Sequence, residues 1–295
     1  MNSRIRCCGA VVLLAASTAA VSLCQKPSSS RETVWFVLEE EFGSKGKIIL
    51  DRIATVSDGK LSKVPDDCSY EDPAYKQFFA EYLNSGHSYS VLFGGGAAGS
   101  AVVREHGEDS ATYAVDYRGP ARIRGQVMGL ATNAVVAQST ASSRQAPTPM
   151  ERQSALDLAK SLFAQAGVPS DLLDKIKVRN LTHALLPPSK SPSLIGSFFI
   201  EVGGERGPTH NLFFIVTFNG TAYAPELVWT KISKDELESE NFTFVDQGDL
   251  FGDGNQEVIV LDRGWEGYIY RIYHRTKNDA SHWEPIFETG IFGCA

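Results

Sequence analysis

The chain has 295 residues, 43% of them hydrophobic, and a formal net charge of −7. That length suffices for two cores of ordinary size, and an acidic balance without a basic stripe excludes an electrostatic footprint for nucleic acid. Beyond the first 24 residues, no apolar run is long enough to cross a bilayer as a helix.

Residues 1–24 read as an export signal. Arg4 and Arg6 form a basic start, and Ala10 to Ala20 is an apolar, small-residue core too short to span. Cleavage after Ala19 or Ala20 fits a small-residue site. Alternatively, V-S-L-C ending at Cys24 looks like a lipoprotein lipobox, with Leu23 where that motif prefers Gly or Ala. Either end predicts an extracytoplasmic protein that touches a membrane only through a lipid on Cys24. Losing the signal removes two arginines and no acid, which takes the charge from −7 to −9. Cys68 and Cys294 then remain, either as a disulfide or as two free thiols, and no C-x-x-C suggests zinc.

After a polar stretch at 25–31, Thr33 to Glu41 and Lys47 to Val56 read as strands separated by Gly43-Ser44-Lys45-Gly46. Asp72-Pro73 predicts a helix N-terminus, and Tyr75, Phe78, Phe79 and Tyr82 recur at helical spacing up to Gly86, an aromatic stripe expected in the core. L-F-G-G-G-A-A-G, Leu92 to Gly99, lacks a following G-K-[ST] and reads as a flexible hairpin loop rather than a phosphate cradle. Further strands are expected at Ala111 to Tyr117, Arg122 to Met128 and Ala131 to Val136. Their spacing predicts an antiparallel sheet or small barrel for an N-terminal domain at 32–138.

Ser139 to Pro149 is low in complexity and reads as a linker. A C-terminal domain at 150–295 follows. It opens on the capping box Thr148 to Glu151 and a helix carrying Ala155, Leu158, Ala159, Leu162, Phe163 and Ala166. A second, short helix is expected from Ser170 through Ile176. Strands then follow at Leu194 to Val202, Leu212 to Phe218, Thr221 to Ile232, Asn241 to Val245, Glu257 to Leu261, Tyr268 to Arg275 and Trp283 to Phe287. A short polar helical turn at Ser233 to Glu236 interrupts them. The order predicts an α+β protein of two domains, the second a helix packed on an antiparallel meander.

The stretch Asp246 to Leu261, D-Q-G-D-L-F-G-D-G-N-Q-E-V-I-V-L, pairs spaced carboxylates with a glycine-rich turn and a strand. Its pattern D-L-x-G-D-G-x-x-E resembles the loop of FG-GAP (VCBS-type) repeats. The resemblance implies Ca2+ bound by the carboxylates of Asp249, Asp253 and Glu257 and by the carbonyl of Asn255. Phe251 stands where the family has Asp or Asn, which removes one ligand and implies weak affinity. The alternative is a plain hairpin turn with solvated carboxylates. One copy occurs, so the chain is not a propeller.

The six histidines show no metal-binding spacing, and there is no nucleophile elbow or dinucleotide fingerprint. Trp265, Glu266, Tyr268, Tyr270 and Tyr273 form an aromatic cluster near the acidic loop, of the kind that stacks on sugars, although strand tyrosines are commonly sheet packing. Two functions follow. The first is an exported non-catalytic binding or structural protein for an extracytoplasmic ligand or protein, with an optional weak calcium loop. The second is a secreted hydrolase of a glycan or peptide, using Glu266 with Asp246, Asp249 or Asp262.

Overall fold

The computed structural model describes residues 32–65, 72–104, 113–136, 142–203, 207–276 and 279–292. The export signal, Cys68 and Cys294 lie outside the described residues. The first half contains β1 (Thr33–Glu40), β2 (Ile48–Ser57), β3 (Lys60–Lys63), α1 (Pro73–Tyr82), β4 (Ser88–Phe93), β5 (Gly96–Val103), β6 (Tyr113–Arg118) and β7 (Gly129–Thr132). The second contains α2 (Pro149–Gln165), β8 (Lys177–Leu185), β9 (Pro192–Glu201), β10 (Thr209–Phe218) and β11 (Tyr223–Ile232). It ends with β12 (Asn241–Gly248), β13 (Glu257–Arg263), β14 (Tyr268–Thr276) and β15 (Asp279–Glu288). The described chain is thus α+β, dominated by antiparallel strands. Among the described residues no helix is long and apolar enough to cross a membrane.

The first seven strands run in the order β1-β7-β4-β5-β6-β2-β3, and β1 also pairs with β2. Six strands therefore close a small barrel, which removes the exposed edges an open sheet would present. In α1, the Asp72 side chain accepts from the Ala74 N–H, Pro73 occupies the first turn, and Tyr75, Phe78 and Tyr82 are buried. The glycine-rich stretch forms the expected hairpin, with a tight turn and most of its length inside β4 and β5. Phe93 pairs with Gly96 across a two-residue turn whose Gly94 and Gly95 have φ of 61° and 73°. Both positions thus sit in the left-handed region that hairpin turns of this kind demand. The strand expected at Arg122 to Met128 is instead a turn closed by an Arg124–Val127 bridge, because Gly125 takes a positive φ within it.

The second half stacks in layers. The sheet β11-β10-β9-β8 faces the sheet β12-β13-β14-β15. Between them lie Ile195, Phe213 and Ile215 against Phe244, Val258 and Val260. The first sheet buries its other face, through Leu194, Phe198 and Phe214, against Ala155, Ala159 and Phe163 of α2. The second sheet turns Ile259, Leu261 and Ile272 toward the barrel. Every residue from Val258 to Leu261 is apolar because both faces of β13 are covered. Each such buried side chain contributes about 1.5–3 kcal/mol.

Three details depart from the sequence expectations. Strand β8 is not expected from K-V-R-N-L-T-H-A-L, which has little apolar alternation. The expected helix from Ser170 to Ile176 is reduced to a 3-10 turn at Leu173–Lys175. The helical turn at Ser233 to Glu236 is a bend in which Ser233 donates to the Glu238 carbonyl.

The described part of the expected linker, residues 142–149, is integrated into the fold. Gln145 and His183 exchange backbone hydrogen bonds of 2.8 and 3.0 Å, adding a bridge to the edge of β8. The capping box forms as expected, and Glu151 also reaches His183 Nδ1 at 2.7 Å. One hydrophobic cluster joins Val37 and Leu130 to Val245 and Ile259, on opposite sides of 139–149. Glu32 to Ala295 forms a single compact unit.

Candidate functional site

In the acidic loop, Asp249 Oδ1 accepts from the N–H groups of Gly252 and Asp253 at 2.7 and 3.0 Å, and Oδ2 accepts from Gly254 at 2.9 Å. Asp253 Oδ1 accepts from the Asn255 N–H at 2.9 Å. Glu257 is fully buried. Its Oε2 accepts from the Leu250 N–H at 2.9 Å, and its Oε1 lies 2.7 Å from His274 Nδ1. Burial pushes the Glu257 carboxyl upward, against the pull of the Leu250 N–H and His274. Phe251, at the position of the missing ligand, packs against the core and meets the His274 ring edge-on. The residues proposed from the family resemblance therefore hold the turn together by hydrogen bonds. Among the described residues no group of three or more His, Cys, Asp or Glu is gathered as a metal would need.

Asp246, at the start of the same stretch, takes no part in that loop. A bulge between Phe244 and Asp246 shifts the register of β12. The fully buried Asp246 carboxylate accepts from the Gly94 N–H at 2.9 and 3.1 Å and faces Arg144 Nη1 at 3.5 Å. Burial pushes Asp246 up to about 7, although Arg144 and the Gly94 and Gln247 N–H groups pull it down. The Arg144 Nη1 also donates to the carbonyls of Met128 and Val245, at 2.9 and 2.8 Å. Its guanidinium carbon lies 4.8 Å from the ring centres of both Phe93 and Phe244. Sequence reasoning missed this assembly. The available signal was that Arg144 is the lone charge in Ser139 to Pro149.

The aromatic cluster divides. Tyr270 and Tyr273 are buried in separate cores, and Tyr268 and Tyr270 donate to the buried Asp51 of β2 at 2.8 and 2.7 Å. These hydroxyls fasten β14 to the barrel. Trp265 and Glu266 lie in the turn between β13 and β14, closed by the Gly264 N–H donating to the Gly267 carbonyl.

That turn rims a pocket of about 460 Å³, which also includes Glu240, Asp262 and Arg271. Trp265 is 61% exposed there, and Leu237 and Ile291 on the same pocket are 65% and 62% exposed. Asp262 is largely buried at 6% exposure. Its Oδ2 accepts from Arg271 Nε at 3.0 Å, whereas its buried Oδ1 has no hydrogen-bond partner among the described residues. Burial raises the Asp262 carboxyl, against the pull of Arg271. An apolar rim over an unsatisfied acceptor suits a ligand with both a flat apolar face and hydroxyl or amine donors. Of the carboxylates considered for catalysis, Asp262 and Glu266 share this pocket, whereas Asp246 and Asp249 lie elsewhere.

The chain matches no protein-family model, no curated protein and no solved structure.

Proposed function

We propose that this is an exported, non-catalytic binding protein whose ligand site is the pocket beneath Trp265 and whose ligand is polyhydroxylated, as a glycan is. The supporting observation is that one pocket carries both an exposed indole and the Asp262 carboxylate, whose Oδ1 has no hydrogen-bond partner among the described residues. The indole offers a stacking face, and the carboxylate accepts from a sugar hydroxyl. Export rests on residues 1–24, and the FG-GAP-like loop enters this reading as a stabilising turn with an optional calcium ion.

The test is titration calorimetry of the mature chain with a panel of soluble oligosaccharides. Saturable binding is expected, weakened by at least about tenfold in Trp265→Ala and in Asp262→Asn. A panel without a binder, or affinity that survives both substitutions, rejects the site.

A secreted hydrolase is the second reading, favoured by the presence of Glu266 and Asp262 on the same pocket. It requires release of reducing ends or new peptide termini that Glu266→Gln abolishes, whereas the binding reading has Glu266→Gln release nothing different from wild type.

A further inference from the structure

A second cavity, of about 470 Å³, lies along β8 and is independent of the Trp265 pocket. Its walls come from Phe93 at the barrel hairpin, the turn at Gln126, the chain from Arg144 to Pro147, and Val178 to Thr182. Three arginines line it, Arg144, Arg152 and Arg179, and none of the described lining residues is acidic. In a chain with 35 acids and 28 bases, that local sign is the reverse of the whole.

The three guanidinium groups are held differently. The Arg144 side chain is 7% exposed and fixed by two aromatic rings, two carbonyls and Asp246. All its hydrogen bonds to described residues use Nη1, which leaves Nε and Nη2 available. Arg179 lies over the Phe199 ring at 4.7 Å and makes no ion pair with a described residue, nor does Arg152. The half-buried Asn180 directs Nδ2 to the Phe244 carbonyl at 3.2 Å. Arg144 already faces Asp246, and Arg179 feels both Arg263 and Glu201, but with no acid among the described lining residues an anion entering the cavity meets guanidinium groups and no opposing carboxylate. Planar guanidinium forks are suited to carboxylate and phosphate oxygens, and a pre-oriented fork loses little entropy on binding.

We propose that this cavity is a binding site for a small oxyanion-bearing ligand, with Arg144 as the fixed anchor and Arg152 and Arg179 closing on the anion. The shared chemistry is a carboxylate or phosphoryl head with a short apolar body, which Phe93, Val178 and Leu181 would cover.

Calorimetry of the mature chain with inorganic phosphate, sulfate and succinate, in a buffer of constant chloride, tests it. At least one anion should bind saturably. Arg152→Gln and Arg179→Gln should each weaken it by about tenfold while leaving the melting temperature within a degree or two. Lys190→Gln, a surface charge change outside the cavity, should leave binding unchanged. Preference for phosphate and sulfate identifies a tetrahedral head, preference for succinate identifies a carboxylate, and either supports the site. The proposal falls if none of the three saturates at millimolar concentration, if both arginine variants bind as wild type, or if Lys190→Gln weakens binding equally. Oligosaccharide binding at Trp265 is unaffected by these variants, so the two sites succeed or fail separately.

Discussion

Asp246 and Arg144 show how one buried pair ties separate layers together. Above the Asp246 folded-state value, at pH 8, Asp246→Ala leaves the Arg144 guanidinium buried without its counter-charge and the Gly94 N–H without an acceptor, and should cost about 3–5 kcal/mol in denaturant unfolding. Its ionisation also sets a pH dependence. The folded-state value near 7 lies above the ordinary 3.8, so the native chain keeps a proton that the unfolded chain releases across that window. The contribution is complete below about pH 4 and is lost as pH rises through about 7. Glu257, raised by burial, acts in the same direction. The melting temperature should therefore be lower at pH 8 than at pH 5.5, and Asp246→Asn should narrow the difference. A melting temperature that rises between those values contradicts a raised Asp246.

At the scale of elements, the acidic loop is a turn whose geometry depends on Asp249. Its carboxylate accepts three backbone N–H groups. Asp249→Ala should therefore destabilise the protein by about 1–3 kcal/mol in EDTA as well as in calcium. A calcium loop adds a rise of a few degrees in melting temperature on going from EDTA to several millimolar calcium, and magnesium serves as the control. Equal melting in all three conditions leaves the loop as a turn alone. The barrel hairpin has a comparable dependence. Gly94 carries a positive φ, and a Cβ there would lie 2.5 Å from the Arg144 Cβ, so the turn and the docked arginine require the same glycine.

For the molecule as a whole, the layers run from α2 through two facing sheets to a closed barrel. The cluster from Val37 and Leu130 to Val245 and Ile259 joins the two halves. A protease site inserted at position 140 should accordingly yield two fragments that co-elute under native conditions and part only in denaturant. Fragments that separate without denaturant, each melting cooperatively, would establish two autonomous domains.

Much of this was legible in the chain alone. The N-cap pair Asp72-Pro73, the capping box at Thr148 and Glu151, and the apolar runs of β1, β9, β10 and β13 follow from local rules, because capping and periodicity act within a few residues. The antiparallel character and the helix-on-sheet pairing followed too. Tertiary structure decided the rest. Strand β8 has weak alternation and exists because β9 offers it an edge. Ser139 to Pro149 reads as a linker by composition, yet Arg144 within it meets Phe93, Phe244 and Asp246, partners up to 102 positions away. The two arginine-lined and tryptophan-rimmed pockets depend on the same long-range packing. Sequence fixes which segments can be strands, helices and turns; which charges become buried, and which of them share a cavity, is settled only when distant segments pack.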